Sequence, residues 1–155
     1  MPTVPFSFRW STFDQLSAAE LYEILRIRQE VFVVEQDCAY QDADGKDQCA
    51  WHLACWDYTT ESPTLLAYLR VVFPGKKYPE PSIGRVLTTH SARGTGLGRE
   101  LMRTAIENTQ REYPESPIRI SAQLYLEKFY TDLGFEQVSE PYDEDGIPHI
   151  EMVLP

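Results

Sequence analysis

The fold is decided near the middle of the chain, by the stretch Ser82-Ile83-Gly84-Arg85-Val86-Leu87-Thr88-Thr89 and, shortly after it, Arg93-Gly94-Thr95-Gly96-Leu97-Gly98. The first part is mostly apolar and β-favouring, which predicts a strand. No proline lies between Ser82 and Tyr113, so a helix from about Leu97 to Glu112 is unobstructed. The stretch therefore predicts a strand, a glycine-rich turn and a helix in direct succession.

A glycine-rich turn before a helix is suited to binding phosphate. The N–H groups of the first helical turn are unpaired and carry about half a positive charge, and glycines let the backbone approach a ligand without a Cβ in the way. Arg93 adds a forked cation for a pyrophosphate oxygen. The turn is not a P-loop, because no Gly-Lys-Ser/Thr follows, and Arg99 stands where a dinucleotide fingerprint needs glycine. The alternative is a turn that merely joins strand to helix, but the flanking elements favour a ligand.

Towards the N-terminus, apolar residues at helical spacing predict a helix over 16–36, with Ser17 and Glu20 as a capping box. Two β-favouring runs, over 50–56 and 64–73, predict a hairpin. Strands and helices thus alternate along the chain, an order typical of a mixed α/β sheet domain.

Towards the C-terminus, the pattern predicts a strand over 118–122, a short helix over 125–133 and strands over 135–138 and 147–154. The short helix holds a second motif, Phe129-Tyr130-x-x-x-Gly134-Phe135, with Gly134 at the C′ position. A tyrosine has an ordinary pKa of about 10 and can donate a proton to a departing thiolate at neutral pH. The alternative is an amphipathic helix whose aromatic residues belong to the core.

Composition sets the broad class. A chain of 155 residues fits one domain, and 24 acidic against 14 basic residues give a net charge of −10. Such a chain is repelled by nucleic acid and by anionic membranes, and no run approaches the roughly 20 apolar residues of a membrane span. The first ten residues lack the pattern of a signal peptide. Three cysteines form no disulfide framework, which favours a cytoplasmic protein.

Taken together, the two motifs resemble the GCN5-related N-acetyltransferases (GNAT). They are Val86-Leu87 through Arg93-x-x-Gly96-x-Gly98 and Phe129-Tyr130 to Gly134-Phe135. The first half of the chain is similar to the ElaA-like branch of that family, in Leu25-Arg26-x-Arg28-x-x-Val31-Phe32-Val33-Val34-Glu35-Gln36, Asp42-x-Asp44-Gly45-x-Asp47 and His52-Leu53. The tail is similar as well, in Glu144-Asp145-Gly146-Ile147-Pro148-His149-Ile150-Glu151-Met152. The resemblance covers about Trp10 to Leu154.

The resemblance implies one α/β domain over residues 1–155, with a twisted, mostly antiparallel sheet of six or seven strands and helices on both faces. Two central strands are expected to splay apart after Thr88 and leave a cleft for acetyl-CoA, the co-substrate, with no metal. The expected cofactor-binding residues are Val86, Leu87, Thr88, Arg93, Gly94, Thr95, Gly96, Leu97 and Gly98. Tyr130 is expected to protonate the thiolate of CoA while a primary amine attacks the thioester directly.

The amine side is less defined. Candidates for the general base are Glu35, His52, His90, His149 and Glu151, with Glu35 preferred, and the substrate-side candidates are Phe32, Gln36, His52, Asp145, His149 and Glu151. Asp143 to Asp145 either attract a protonated amine or form a solvated loop. The acceptor is a small-molecule or peptide amine, and the protein is a monomer or a homodimer.

Three other sites were considered. Asp42-x-Asp44-Gly45 echoes a calcium loop, but its first and twelfth positions would be Tyr40 and Trp51. Cys49, His52 and Cys55 lie three apart on a predicted strand, where side chains alternate between faces, so zinc binding is disfavoured. No Gly-x-Ser-x-Gly elbow supports a serine hydrolase. The competing functions are a non-catalytic acyl-CoA sensor and, least favoured, an interaction domain that binds no acyl-CoA.

Overall fold

The computed structural model describes residues 6–59 and 61–155, and within these ranges eight strands form one sheet. In chain order they are β1 (Phe6–Thr12), β2 (Ala50–Asp57), β3 (Thr64–Val72), β4 (Ser82–Thr88), β5 (Ile118–Gln123), β6 (Glu136–Gln137), β7 (Tyr142–Glu144) and β8 (Ile147–Leu154). Their order across the sheet is β1-β2-β3-β4-β5-β8-β6, and β7 also pairs with β8. All neighbours are antiparallel except β4 and β5, which confirms the predicted α/β class.

The strand count exceeds the expected six or seven because two strands were not predicted. β1 carries Phe6, Phe8 and Trp10 at every second position, a period-two pattern that marks a half-buried strand. β7 has three residues and forms a hairpin with β8. Its charged sequence carries no strand signal, because the pairing with β8 and not local preference stabilises it.

Three α-helices pack on the sheet in the described part of the chain: α1 (Ala18–Arg28), α2 (Leu97–Glu112) and α3 (Glu127–Asp132). The capping box of α1 is confirmed, since the Glu20 N–H donates to Ser17 Oγ (3.1 Å) and the Ser17 N–H donates to Glu20 Oε1 (2.8 Å). None of these helices is both long and apolar enough to cross a membrane.

The predicted helix over 16–36 is α-helical only as far as Arg28. From Gln29 to Glu35 it continues as a π-helix, in which the Gln36 N–H donates to the carbonyl of Val31, five residues earlier, at 3.3 Å. The wider turn buries Val31 and Phe32 and leaves Val34 71% exposed. The apolar run from Val31 to Val34 is thus divided between the core and solvent. π-helical turns of this kind often lie at functional sites.

Two hydrophobic cores lie on opposite faces of the sheet. Alternate residues of β2 separate them, because Leu53 and Cys55 point into one core while Ala54 and Trp56 point into the other. The first core is covered by α2 and by Tyr130 of α3, and the second by α1. Helices on both faces were expected, and this expectation is confirmed.

The central strands β4 and β5 diverge. They pair only at Ser82 and Arg119, so the divergence begins directly after Ser82 and not after Thr88 as expected. A β-bulge explains the early start: between the pairs Tyr68–Leu87 and Arg70–Gly84, one residue of β3 lies opposite two residues of β4, Arg85 and Val86. A bulge increases the local twist, which turns the rest of β4 away from β5.

Candidate active site

The divergence of β4 and β5 opens a cleft of about 700 Å³. One wall is the second half of β4, where Val86, Leu87 and Thr88 line the cleft as predicted. Beyond Ser82, the edge of β4 that faces β5 has no strand partner in the described part of the chain. Unpaired N–H and C=O groups on a strand edge can bind an extended chain that carries amide groups.

The glycine-rich turn lies where β4 ends. A short 3₁₀ turn, His90–Ala92, leads into Gly94 and Gly96, whose φ angles of +78° and +82° require glycine, and α2 begins at Leu97. The hydroxyl of Thr95 donates to the Ala92 carbonyl at 2.6 Å and holds the turn. The first N–H groups of α2 therefore point out of the helix, as an anion site requires.

Gly98 has a different reason to be glycine. Its φ is not in the left-handed region, and a Cβ there would be 3.6 Å from the Thr88 methyl group, an ordinary contact. Glycine inside a helix costs about 1 kcal/mol relative to alanine. Neither the backbone conformation nor the packing requires glycine at position 98. Close approach of a ligand to the helix would require it, because a Cβ there would be in the way.

Two of the predicted site residues form an ion pair with each other. Nη2 of Arg93 lies 2.6 Å from Oε2 of Glu35, and Nε of Arg93 donates to the Thr88 carbonyl at 3.2 Å. Both residues line the cleft. The pair joins the π-helix to the glycine-rich turn, so an anion bound by Arg93 would compete with Glu35 and release its carboxylate.

Tyr130 of α3 lies on the wall opposite β4. Its side chain packs edge-on against Phe129 and Phe135 and is 6% exposed, yet it lines the cleft. Its hydroxyl makes no hydrogen bond to the residues that the structure describes. Burial, and then the neighbouring Tyr125, raise the pKa of Tyr130 well above its usual value, so the hydroxyl keeps its proton at neutral pH. The group can therefore give a proton to an atom bound in the cleft.

Four of the substrate-side candidates line the far part of the same cleft: Phe32, Gln36, Asp145 and His149. His149 stacks on Tyr142, its Nδ1 lies 2.7 Å from the carbonyl of Ile147, and its Nε2 lies 3.1 Å from Glu144. These contacts orient the ring across the hairpin of β7 and β8.

Two candidates are not brought to the cleft. His52 is 1% exposed; its Nε2–H donates to the Asp47 carbonyl (2.9 Å), and its Nδ1 accepts from the Tyr68 hydroxyl (2.6 Å). Burial lowers the pKa of His52, which keeps the ring neutral. Glu151 binds Arg119 at 3.0 Å outside the cleft. The His52 imidazole and the Glu151 carboxylate are both held in these structural contacts, and neither residue lines the cleft.

A buried cluster of charges beneath the cleft was not predicted. Its members are Arg28, Arg70 and Arg85 with Asp42, Asp44 and Asp47, and we call it the arginine–aspartate cluster. Arg28 is fully buried and binds Asp42 (2.9 Å) and Asp47 (2.7 Å). The aspartates that echoed a calcium loop thus neutralise arginines from α1, β3 and β4.

Arg85 links this cluster to the bulge of β4. It has a φ of +51°, a conformation that costs a non-glycine residue about 1–2 kcal/mol. Its Nε lies 2.8 Å from Asp42 Oδ1, its Nη2 donates to the Asp42 carbonyl at 3.1 Å, and its guanidinium lies 5.4 Å from the ring centre of Tyr40. These contacts offset the strain and hold the bulge that opens the cleft.

Comparison with known proteins agrees with this geometry. A family model described as an acetyltransferase (GNAT) domain matches residues 75–155. The UPF0039 protein of Synechocystis is 47% identical over 148 residues, which cover 96% of this chain and 94% of that protein. An acyl-CoA N-acyltransferase from Pseudomonas aeruginosa has a similar structure, with a TM-score of 0.90, 40% identity and coverage of 97% and 99% of the two chains. Escherichia coli ElaA gives a TM-score of 0.89 at 36% identity, with the same coverage. The chain therefore belongs to the GNAT acetyltransferase family, in its ElaA-like branch.

Proposed function

We propose that this protein transfers an acetyl group from acetyl-CoA to a primary amine. One observation carries the proposal: an unpaired strand edge, Arg93 at the start of the glycine-rich turn, and Tyr130, whose hydroxyl makes no hydrogen bond to the described residues, all border one cleft. An acyl-CoA offers amides, a pyrophosphate and a thioester sulfur in that cleft. The backbone of Val86 and Thr88 pairs with the amides of the pantetheine arm, and the turn from Arg93 to Gly98 binds the pyrophosphate.

The reaction needs one bond formed and one broken. The amine nitrogen bonds to the thioester carbonyl carbon, the C–S bond breaks, and Tyr130 gives its proton to the sulfur, so free CoA leaves as a thiol. The nitrogen loses one proton, for which Glu35 is the candidate base. Its side chain lines the cleft and is 35% exposed, and it becomes available when a phosphate takes its place on Arg93. Solvent returns the proton to Tyr130.

Cytoplasmic localisation belongs to the same proposal. Three free cysteines, two of them buried, suit a reducing compartment. The acidic chain also suits an amine, which is attracted as an ammonium ion before it loses its proton.

A thermal-shift titration with acetyl-CoA tests the proposal, with NADH as the control ligand. A ligand at a hundred times its dissociation constant stabilises a protein by about 2.7 kcal/mol, which is a rise in Tm of about 5–10 °C for a domain of this size. Thiol release that depends on an added amine is then expected. A rise in Tm without thiol release would leave a non-catalytic acyl-CoA sensor, and no rise at millimolar acetyl-CoA would overturn both functions.

A further inference from the structure

Two basic side chains without an ion pair line the cleft. Most basic side chains of this acidic protein bind a carboxylate, but Lys46 and Lys77 form no ion pair within residues 6–59 and 61–155. Lys76, Arg99, Arg103 and Arg111 also form none in the described part of the chain, but none of these four lines the cleft. The position of Lys46 and Lys77 suggests that their partner is a ligand.

These lysines lie far from the glycine-rich turn. Lys77 precedes β4 and the turn follows it, and a seven-residue strand spans about 20 Å. Lys46 follows Asp44, which binds Arg70 (2.6 Å) and approaches Arg85 (3.4 Å), the middle residue of β4. The lysines therefore serve the far part of the cleft, beside the β7–β8 hairpin, and not the pyrophosphate of a cofactor. We call this part the hairpin end.

The nearest acidic side chains are already engaged. Asp44 is bound by Arg70, and Glu144 lies 3.1 Å from Nε2 of His149. Lys77 is exposed at the mouth of the cleft, yet its pKa is lowered. Partial desolvation is the main cause, the charge of Glu144 opposes it, and the charges of Arg70 and Arg85 add to it. A bound carboxylate would offset the effect of Arg70 and Arg85 on the charge of Lys77.

The hairpin end also holds an acidic residue without an ion pair. Asp145 lines the cleft and forms no ion pair in the described part of the chain. Its backbone carbonyl accepts a hydrogen bond from the Cys38 thiol at 3.3 Å, which joins the hairpin to the loop that follows the π-helix.

From these charges we infer that the acceptor is a small amino carboxylic acid, whose carboxylate binds Lys46 and Lys77 and whose ammonium group is attracted by Asp145. The inference rests on the proposed function and names its substrate class. A diamine would place a second positive charge against the two lysines, and like charges at such a distance repel.

Thiol release from acetyl-CoA tests the inference with the common L-amino acids, β-alanine and γ-aminobutyrate, each beside its carboxamide, and with putrescine. We expect at least one of these acids to be used with a kcat/KM about tenfold or more above that of its carboxamide, because a charge-assisted hydrogen bond is lost in the amide. Equal use of acid and carboxamide, or a preference for putrescine, would overturn the inference while the acetyltransferase function stood. If no amine of any kind released thiol, the proposed function itself would fail.

A double variant separates the lysines from the rest of the site. In Lys46→Met/Lys77→Met the preference for acid over carboxamide should fall to about onefold through a loss of kcat/KM for the acid, while the thermal shift with acetyl-CoA stays unchanged. Lys76→Met is the matched control, because it removes the same charge one position away and Lys76 does not line the cleft. A preference that survived in the double variant, or that fell equally in Lys76→Met, would rule out the assigned role of the lysines.

Discussion

In the part of the chain that the structure describes, basic side chains form ion pairs in the arginine–aspartate cluster but not at the hairpin end of the cleft. In the cluster, Arg28 and Arg70 are at most 2% exposed, and each binds two carboxylates. At the hairpin end, Lys46 and Lys77 bind none of the carboxylates that the structure describes. The two regions are neighbours, since Asp44 belongs to the cluster and also lines the cleft.

The difference follows from the cost of burying a charge. A guanidinium withdrawn from water loses several kcal/mol of solvation, which only close carboxylates can offset. The effect on the aspartates is visible: burial raises the pKa of Asp47, but its hydrogen bonds and charge interactions with Arg28 and Arg70 together outweigh this, and the pKa lies below its ordinary value. Lysines at a cleft mouth keep enough water to remain unpaired until a ligand binds. We therefore expect the cluster to govern stability and the cleft to govern activity.

The largest effect is expected in the cluster. Arg28→Met leaves Asp42 and Asp47 with one arginine fewer in a buried site, and should lower the free energy of unfolding by about 3–5 kcal/mol in urea denaturation. Arg26→Met is the control, because its ion pair with Glu23 lies on the surface and should contribute less than about 1 kcal/mol. Equal losses in the two variants would show that the cluster does not stabilise the fold.

In contrast to Arg28→Met, Tyr130→Phe should lower the activity and leave the free energy of unfolding nearly unchanged. Removing a proton donor typically lowers kcat by about a hundredfold or more, whereas the Tyr130 hydroxyl makes no hydrogen bond to residues 6–59 or 61–155 that unfolding would break. Steady-state thiol release and urea denaturation measure the two effects. Tyr22→Phe, at an exposed position of α1 that does not line the cleft, should change neither. An unaltered kcat in Tyr130→Phe would exclude its role as general acid.

The smallest effect is expected at the glycine-rich turn. Gly98→Ala should leave stability unchanged or raise it by up to about 1 kcal/mol, while the KM for acetyl-CoA rises about tenfold, which equals about 1.4 kcal/mol. Gly96→Ala is the contrasting variant, because its φ of +82° should cost it about 1–2 kcal/mol of stability. If Gly98→Ala bound acetyl-CoA as tightly as the unmodified protein, no ligand would approach the helix at this point.

Local signals in the chain were sufficient for much of the fold. The capping box at Ser17, the helix from Leu97 to Glu112 and the glycine turn at Gly134 were each predicted from residues within a few positions of one another. The cleft and the residues expected around it were predicted from the resemblance to the GNAT family. The alternation of Phe6, Phe8 and Trp10 was a signal for β1 as well, although it was not used.

The site depends on residues that are distant in the chain. Arg28 meets Asp47, Glu35 meets Arg93, and Cys38 meets Asp145, across separations that no periodicity spans. His52 is a further example. Its position in a strand does not reveal the two hydrogen bonds that occupy both ring nitrogens and exclude it as a general base.

Backbone hydrogen bonds and side-chain spacing act over a few residues, so the amino-acid order alone determined the helices, most of the strands and the glycine-rich turn. Charge pairing acts through space, and its energy depends on how far each group is withdrawn from water. The assembled sheet therefore decided which basic side chains form ion pairs beneath the cleft and which have no ion pair and are positioned to bind a substrate.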